Sequence, residues 1–220
     1  MNQMFCYQCQ ETAKNEACTV KGVCGKSPVV AKIQDLLVYV TKGLSSVLMQ
    51  MRKEGKEVSK EHNHVVTYNL FTTITNANFD EVALLEIVKN TIILKDELRS
   101  SLNDDSGLIE AAKYSEFDDE ALLAKAETVG VLSTENEDVR SLRELTIYGL
   151  KGLSAYTKHA NVLLKDNDEI DEFIQEALVK TTDDSLSADE LVQLVLDTGA
   201  FGVKGMALLD EANTSKIRTS

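Results

Sequence analysis

Cys6, Cys9, Cys18 and Cys24 are the whole cysteine content of this 220-residue chain, spaced C-x2-C-x8-C-x5-C within its first twenty-four residues. A thiolate is a soft metal ligand, and four on one short loop can surround a single centre without help from the rest of the chain. Three chemistries suit such a set: two disulfides, a structural zinc, or an iron–sulfur cluster. Disulfides belong to oxidising compartments, and the opening MNQMFCYQCQ lacks the basic and then apolar segments of a secretory signal. Zinc sites usually join two close Cys pairs or recruit histidine, whereas this motif has one close pair and its nearest histidine is His62. One close pair with two outlying cysteines favours iron–sulfur over zinc, although spacing alone leaves both open.

The residues between the cysteines suit a cluster. Gly22 and Gly25 flank the last ligand, where a missing β-carbon lets backbone N–H groups approach sulfur. Lys14, Lys21 and Lys26 can offset the negative charge of a cluster held by four thiolates.

The rest of the chain must carry these cysteines. One proline, no tryptophan and 5% aromatic residues, in a chain rich in Leu, Ala, Glu and Lys, favour helices over sheets. No apolar run approaches the roughly 18 residues of a membrane span, so the expectation is a cytoplasmic chain with no membrane partner. Residues 1–60 carry nine Lys/Arg against five Asp/Glu, +4, which leaves −17 for the remainder of a chain whose net charge is −13. An acidic bulk excludes nucleic acid as the main partner, because phosphate binding needs a basic face.

Ser27-Pro28 predicts a helix start, followed by Ile33, Leu36, Leu37, Val40, Leu44, Val47 and Leu48 at helical spacing up to Gly55. A second helix is expected over about 60–75 and a third after the cap Asn78, ending at 103–106. Further helices are expected over 118–129, after a Thr134/Glu137 capping box, after Asn167 or Asp168, and after a Ser187/Glu190 capping box. The last of these is read as continuing past Gly199 to Leu209.

The two halves repeat. Leu36-x-x-Tyr39-x-x-Lys42-Gly43-Leu44-Ser45 recurs 109 positions later as Leu145-x-x-Tyr148-x-x-Lys151-Gly152-Leu153-Ser154. In the same register Thr72-Thr73 matches Thr181-Thr182, and Asp80-Glu81 matches Asp189-Glu190. Duplication explains two separated blocks in one register. The predicted fold is all-α: a four-cysteine loop over 1–27, then two tandem, similar three-helix bundles over 28–115 and 116–220. Gly43 and Gly152 are read as close helix crossings, His62 and His64 at i and i+2 as not sharing a helical face, and His159 as a capping or packing residue. No nucleophile–base pair, phosphate loop or dinucleotide fingerprint is present, so no catalytic residue is assigned.

At this level of detail the sequence resembles a family. Met4-Phe5-Cys6-Tyr7-Gln8-Cys9-Gln10-Glu11-Thr12-Ala13 and Cys18-Thr19-Val20-Lys21-Gly22-Val23-Cys24-Gly25-Lys26 are similar to the start of the hybrid cluster proteins, also called prismane proteins or hydroxylamine reductases. Thr75-Asn76-Ala77-Asn78-Phe79-Asp80, the stretch from Thr134 to Leu145, and that from Met206 to Thr214 extend the likeness through nearly the whole chain. The resemblance implies a [4Fe-4S] cluster on Cys6, Cys9, Cys18 and Cys24, lost on aerobic handling, in an N-terminal domain of two three-helix bundles. It also implies an oxidoreductase that reduces hydroxylamine or nitric oxide, supplied with electrons by a redox donor protein.

The hybrid Fe–S–O cluster that does this chemistry takes ligands from later α/β domains, and no cysteine follows Cys24. The terminal stretch from Ser215 to Ser220 departs from the family pattern, and three residues precede Met4, where members usually begin. The chain is therefore expected to be an N-terminal domain without its C-terminal partners, and inactive alone. Two other readings are a helical interaction domain whose four cysteines hold zinc or nothing, and a fragment of a related carbon monoxide dehydrogenase, which lacks the Met4 to Lys26 wording.

Overall fold

The computed structural model describes residues 3–217. Met1 and Asn2, ahead of the family-like Met4, and Arg218 to Ser220, in the divergent terminal stretch, lie outside the described residues. A loop leads into α1 (Pro28–Lys53), α2 (Lys60–Thr72) and α3 (Glu81–Ser100). Short α4 (Glu110–Lys113) and α5 (Asp119–Ala126) follow, and then α6 (Glu137–Val162), α7 (Asp168–Lys180) and α8 (Ala188–Ile217). Among the described residues the only β-pairing is an isolated bridge between Cys6 and Cys18. The fold is all-α, as its composition requires.

Most helix starts are set by the side chains the sequence offers. Ser27 Oγ accepts from Val30 N at 3.1 Å ahead of Pro28, and Asn167 and Asp118 cap α7 and α5. Ser187 and Glu190 form the reciprocal box at the start of α8, with Ser187 N donating to Glu190 Oε2 at 2.8 Å. Two caps differ from expectation. Asp80, not Asn78, caps α3, while Asn78 Oδ1 accepts from Asp80 N at 2.8 Å and so orients the cap. Asn136, not a Thr134/Glu137 box, caps α6, because the Thr134 hydroxyl faces the Arg143 guanidinium instead. An unforeseen box opens α2, where His62 Nδ1 accepts from Ser59 N.

The duplication is visible in the elements themselves. α1 and α6 are both 26 residues long and start and end 109 positions apart, and α2 and α7 are both 13 residues long. The middle helices, however, cross between the halves. α3 stays on α1 and α8 on α6, but α2 lies chiefly against α6, and α7 against α1. One apolar core therefore joins both halves, with Leu44 and Leu48 of α1, Leu70 of α2, Leu150 and Leu153 of α6, and Ile174 and Leu178 of α7. Each such side chain contributes about 1.5–3 kcal/mol on burial. A polar hub sits at the crossing: Arg52 donates to Gln175 Oε1 at 2.6 Å and to Asn63 Oδ1 at 3.0 Å, and Gln175 donates to Asn63 Oδ1 at 2.9 Å.

A second apolar cluster is built on α1, where Leu36, Leu37 and Val40 meet Leu84, Val88 and Ile92 of α3 and Leu122 of α5, so α5 packs with the first bundle although it lies beyond the expected boundary at 115. α4 crosses α1 at Gly43, where an added β-carbon would lie 2.3 Å from the Ala111 carbonyl oxygen. Fully buried Lys95 fixes α4 by donating to the Ala112 carbonyl at 3.0 Å. The matching expectation for Gly152 fails, since among the described residues nothing lies within 4 Å of a β-carbon there. Among the described residues, α6 has no counterpart of α4 across it. Its close approaches to α8 occur at Gly149, against Thr198, and at Gly205 of α8, against Leu153.

α8 also departs from the reading that no segment approaches a membrane span. Residues 188–215 are long and apolar enough to cross a membrane by length and composition. In this fold α8 lies along α6 and places Leu194, Leu208 and Ala212 in the shared core.

The two repeat-related glycines differ in what surrounds them. Gly43→Ala is expected to lose about 1–3 kcal/mol from overpacking against α4. Gly152→Ala is expected to gain up to about 1 kcal/mol from helix propensity. Urea denaturation of the two variants reads the contrast, and equal effects would contradict the packing described.

Candidate metal centre

Sulfur placement begins with backbone pairing. Cys6 N donates to the Cys18 carbonyl at 3.1 Å and Cys18 N to the Cys6 carbonyl at 2.8 Å, which sets the first and third cysteines side by side. The return between them uses Lys14 and Asn15, both in the left-handed region at φ 59° and 58°, unusual for a lysine. Thr12 holds the second cysteine by donating to the Cys9 carbonyl through its N at 3.1 Å and its Oγ1 at 2.5 Å.

The last cysteine sits in a tight turn. Gly25 N donates to the Gly22 carbonyl and Gly22 N to the Lys26 carbonyl, both at 2.9 Å. Gly25 has φ 95°, a conformation that glycine alone adopts readily. A β-carbon at Gly22 would lie 3.0 Å from Cys24 Sγ and 3.0 Å from Lys26 Cβ. Here the glycine is required by the sulfur itself. The whole loop is clamped to α1 where Met4 and Cys18 bury against Ala31.

No disulfide joins any two of the four cysteines in this fold. Among the described residues no three Cys, His, Asp or Glu side chains gather as a single ion would require. A tetrahedral zinc needs its sulfurs about 4 Å apart. Four thiols on one loop, with the first and third in register and the fourth seated in a glycine turn, are a donor set for a soft metal centre, zinc or iron–sulfur alike. The histidines are engaged elsewhere. His62 closes the α2 box, His64 Nε2 lies 2.8 Å from Asp166 Oδ1, and His159 meets the Phe71 ring edge-on. Of the three lysines expected around the motif, Lys26 is buried beside Cys24 while Lys14 and Lys21 are exposed.

Behind Cys6, α1 and α6 face one another across two adjoining cavities of about 330 and 710 Å³. The smaller is lined by Cys6, Lys26, Asp35 and Glu144, and the larger by Asp35, Lys42, Glu144 and Lys151. Burial dominates these groups. It pushes the Asp35 carboxyl up to about 7 against the pull of Lys151, Lys26 and Lys42, with Glu144 adding to the rise. It pushes Lys151 down to about 8, opposed chiefly by Asp35, and moves Glu144 up and Lys42 down. The backbone at Gly130 closes over Asp35, whose Oδ2 lies 3.1 Å from where a β-carbon would stand. Two buried polar atoms, Gln8 Oε1 and Arg143 Nε, have no hydrogen-bond partner among the described residues.

The cysteine loop was legible from spacing, but this acid–lysine quartet was not singled out. Its signal was nonetheless present. Asp35 and Glu144 are 109 positions apart, like Lys42 and Lys151, and each acid precedes its lysine by seven residues, two turns along one helix face.

A family model described as the Prismane/CO dehydrogenase family matches residues 4–219. A hydroxylamine reductase of Desulfovibrio desulfuricans is 57% identical over 213 residues, covering 97% of this chain and 39% of the relative. A hydroxylamine reductase of Clostridium perfringens is 55% identical over 218 residues, covering 96% and 40%. One from Acetivibrio thermocellus is 51% identical over 214 residues, covering 97% and 39%. The chain thus spans about two fifths of the length of the relatives it matches.

The quartet gives stability a pH signature. Asp35 holds its proton up to about 7 in the fold but releases it near 3.8 when unfolded, so stability falls as pH rises between these values. Lys151 releases its proton near 8 in the fold and near 10.5 when unfolded, so stability rises between these values. Urea midpoints across pH should show a weaker fall in Asp35→Asn and a weaker late rise in Lys151→Met, the remainder coming from Lys42 and Lys95, which burial also pushes down. Asp171, held near 7 by burial, contributes a fall of the same sign, so Asp35→Asn reduces that fall without abolishing it.

Proposed function

Because this chain belongs to the Prismane/CO dehydrogenase family, we propose that it is the iron–sulfur electron-transfer domain of a hydroxylamine reductase. Cys6, Cys9, Cys18 and Cys24 are the ligands of one [4Fe-4S] cluster. The observation that carries this reading is Gly22, where a β-carbon would stand 3.0 Å from Cys24 Sγ and crowd the fourth thiol of the C-x2-C-x8-C-x5-C set. A thiol packed as an ordinary core residue needs no such cradle. When bound, the cluster supplies reversible one-electron transfer. The chain's own residues fix the loop, exclude water through Met4, Cys18 and Ala31, and place Lys26 and the quartet lysines near the thiolates.

Reduction of hydroxylamine or nitric oxide belongs to the longer arrangement of the relatives. No cysteine follows Cys24, so a hybrid Fe–S–O cluster with cysteine ligands draws them from the part of the relatives beyond this match. The partners implied are those further domains and a redox donor protein. The competing reading is a helical interaction domain with zinc or nothing on the four cysteines, and the metal content of the protein separates the two.

Chain prepared without oxygen is expected to be brown, with about four irons and four acid-labile sulfides per molecule. A colourless protein with one zinc would sink the proposal. Gly22→Val should lose most of its iron while its helical circular dichroism is unchanged, since the clash falls on Cys24 rather than on a helix. The 220-residue chain should show no hydroxylamine reduction with a chemical electron donor.

A further inference from the structure

The two halves descend from one unit, yet one long helix is covered on its outer face and the other is bare. On α1 that face is roofed by α4, α5 and the segments around them. Leu36 is fully buried and Tyr39 donates to Glu110 Oε1 at 3.1 Å and packs edge-on to Tyr114. Gly43 admits the backbone of α4 at Ala111. On α6 the equivalents, 109 positions on, are Leu145 at 52% exposure, Tyr148 at 53%, and Gly152 with nothing within 4 Å. One turn further, buried Val47 is matched by Tyr156 at 38%.

We infer that this face of α6 is an interface, and that its occupant is a short helical segment from the part of the longer relatives beyond the matched two fifths. That segment presents small residues over Gly152, as Ala111 and Ala112 do over Gly43. Four observations support this. The same sequence pattern is roofed in the first half by such a segment, so the face is built to be covered. Mid-helix Gly152 leaves room for another backbone to lie against α6, and among the described residues none does. About 60% of the relatives' length lies beyond the match, enough to supply the cover. A second copy of a chain with net charge −13 would bring like charges together.

The cavity of about 330 Å³ extends the face toward the cysteine loop, between Leu145 and Tyr148 on one side and Phe5 and Tyr7 on the other. It offers a socket for one apolar side chain of the incoming segment. The occupant would then rest within one side chain of Cys6, which also lines that cavity. The interface itself rests on packing alone and holds whether or not the cysteines carry a cluster.

Hydroxyl-radical footprinting tests it on two polypeptides: this chain, and this chain continued by the remaining sequence of the Desulfovibrio desulfuricans relative. Tyr39, roofed in both, reports that the first half is folded. In the continued polypeptide the labelling of Leu145, Tyr148 and Tyr156 should drop to the level of Tyr39. Gly152→Trp should restore it there, without lowering the thermal midpoint of the short chain. Labelling of Tyr148 that stays high in the continued polypeptide, with Tyr39 protected, overturns the inference. Labelling that is already low in the short chain and rises on dilution assigns the face to a second copy, and overturns it equally.

Discussion

Everything in this molecule depends on the crossing of its middle helices. α2 closes on the long helix of the second half and α7 on that of the first, so neither half completes its core alone. The polar hub of Arg52, Asn63 and Gln175 lies at that crossing, with a guanidinium shared between α2 and α7. Its geometry is demanding, because buried polar groups must find partners or lose the cost of leaving water. A register shift of either helix would break the set, and the hub therefore fixes alignment as well as adding stability.

That alignment determines what stands behind the cysteines. Once α1 and α6 are held face to face, the acid and lysine that each carries two turns apart converge on one shared space next to Cys6. The duplication thus yields two cations and two acids, related by the repeat, around one buried space. Thiolates that gather negative charge are best placed where fixed cations lie nearby and cannot be solvated away. Lys26, buried beside Cys24, adds a third cation from the loop itself.

The repeat is also unequal in what covers its two long helices. α1 gained both the cysteine loop at its start and the α4–α5 roof on its flank. α6 gained neither, and keeps tyrosines and a glycine in the open where its twin is packed. In a duplicated fold, such departures from symmetry mark where a copy was adapted to different neighbours.

The reach of the sequence differs from residue to residue. The cysteine spacing, the helix starts at Ser27, Asp118, Asn167 and Ser187, and the 109-residue repeat were all legible, because capping and periodicity are local and act through neighbours a few positions apart. The caps at Asp80 and Asn136 were missed by two residues, since adjacent polar residues compete and distant partners such as Arg143 decide the outcome. The exchange of α2 and α7, the convergence of Asp35, Lys42, Glu144 and Lys151, and the different fates of Gly43 and Gly152 belong to the tertiary structure alone. The sequence by itself determined which residues repeat and which could bind metal. Only packing decided which faces meet, because a helix carries the same apolar stripe whichever partner covers it.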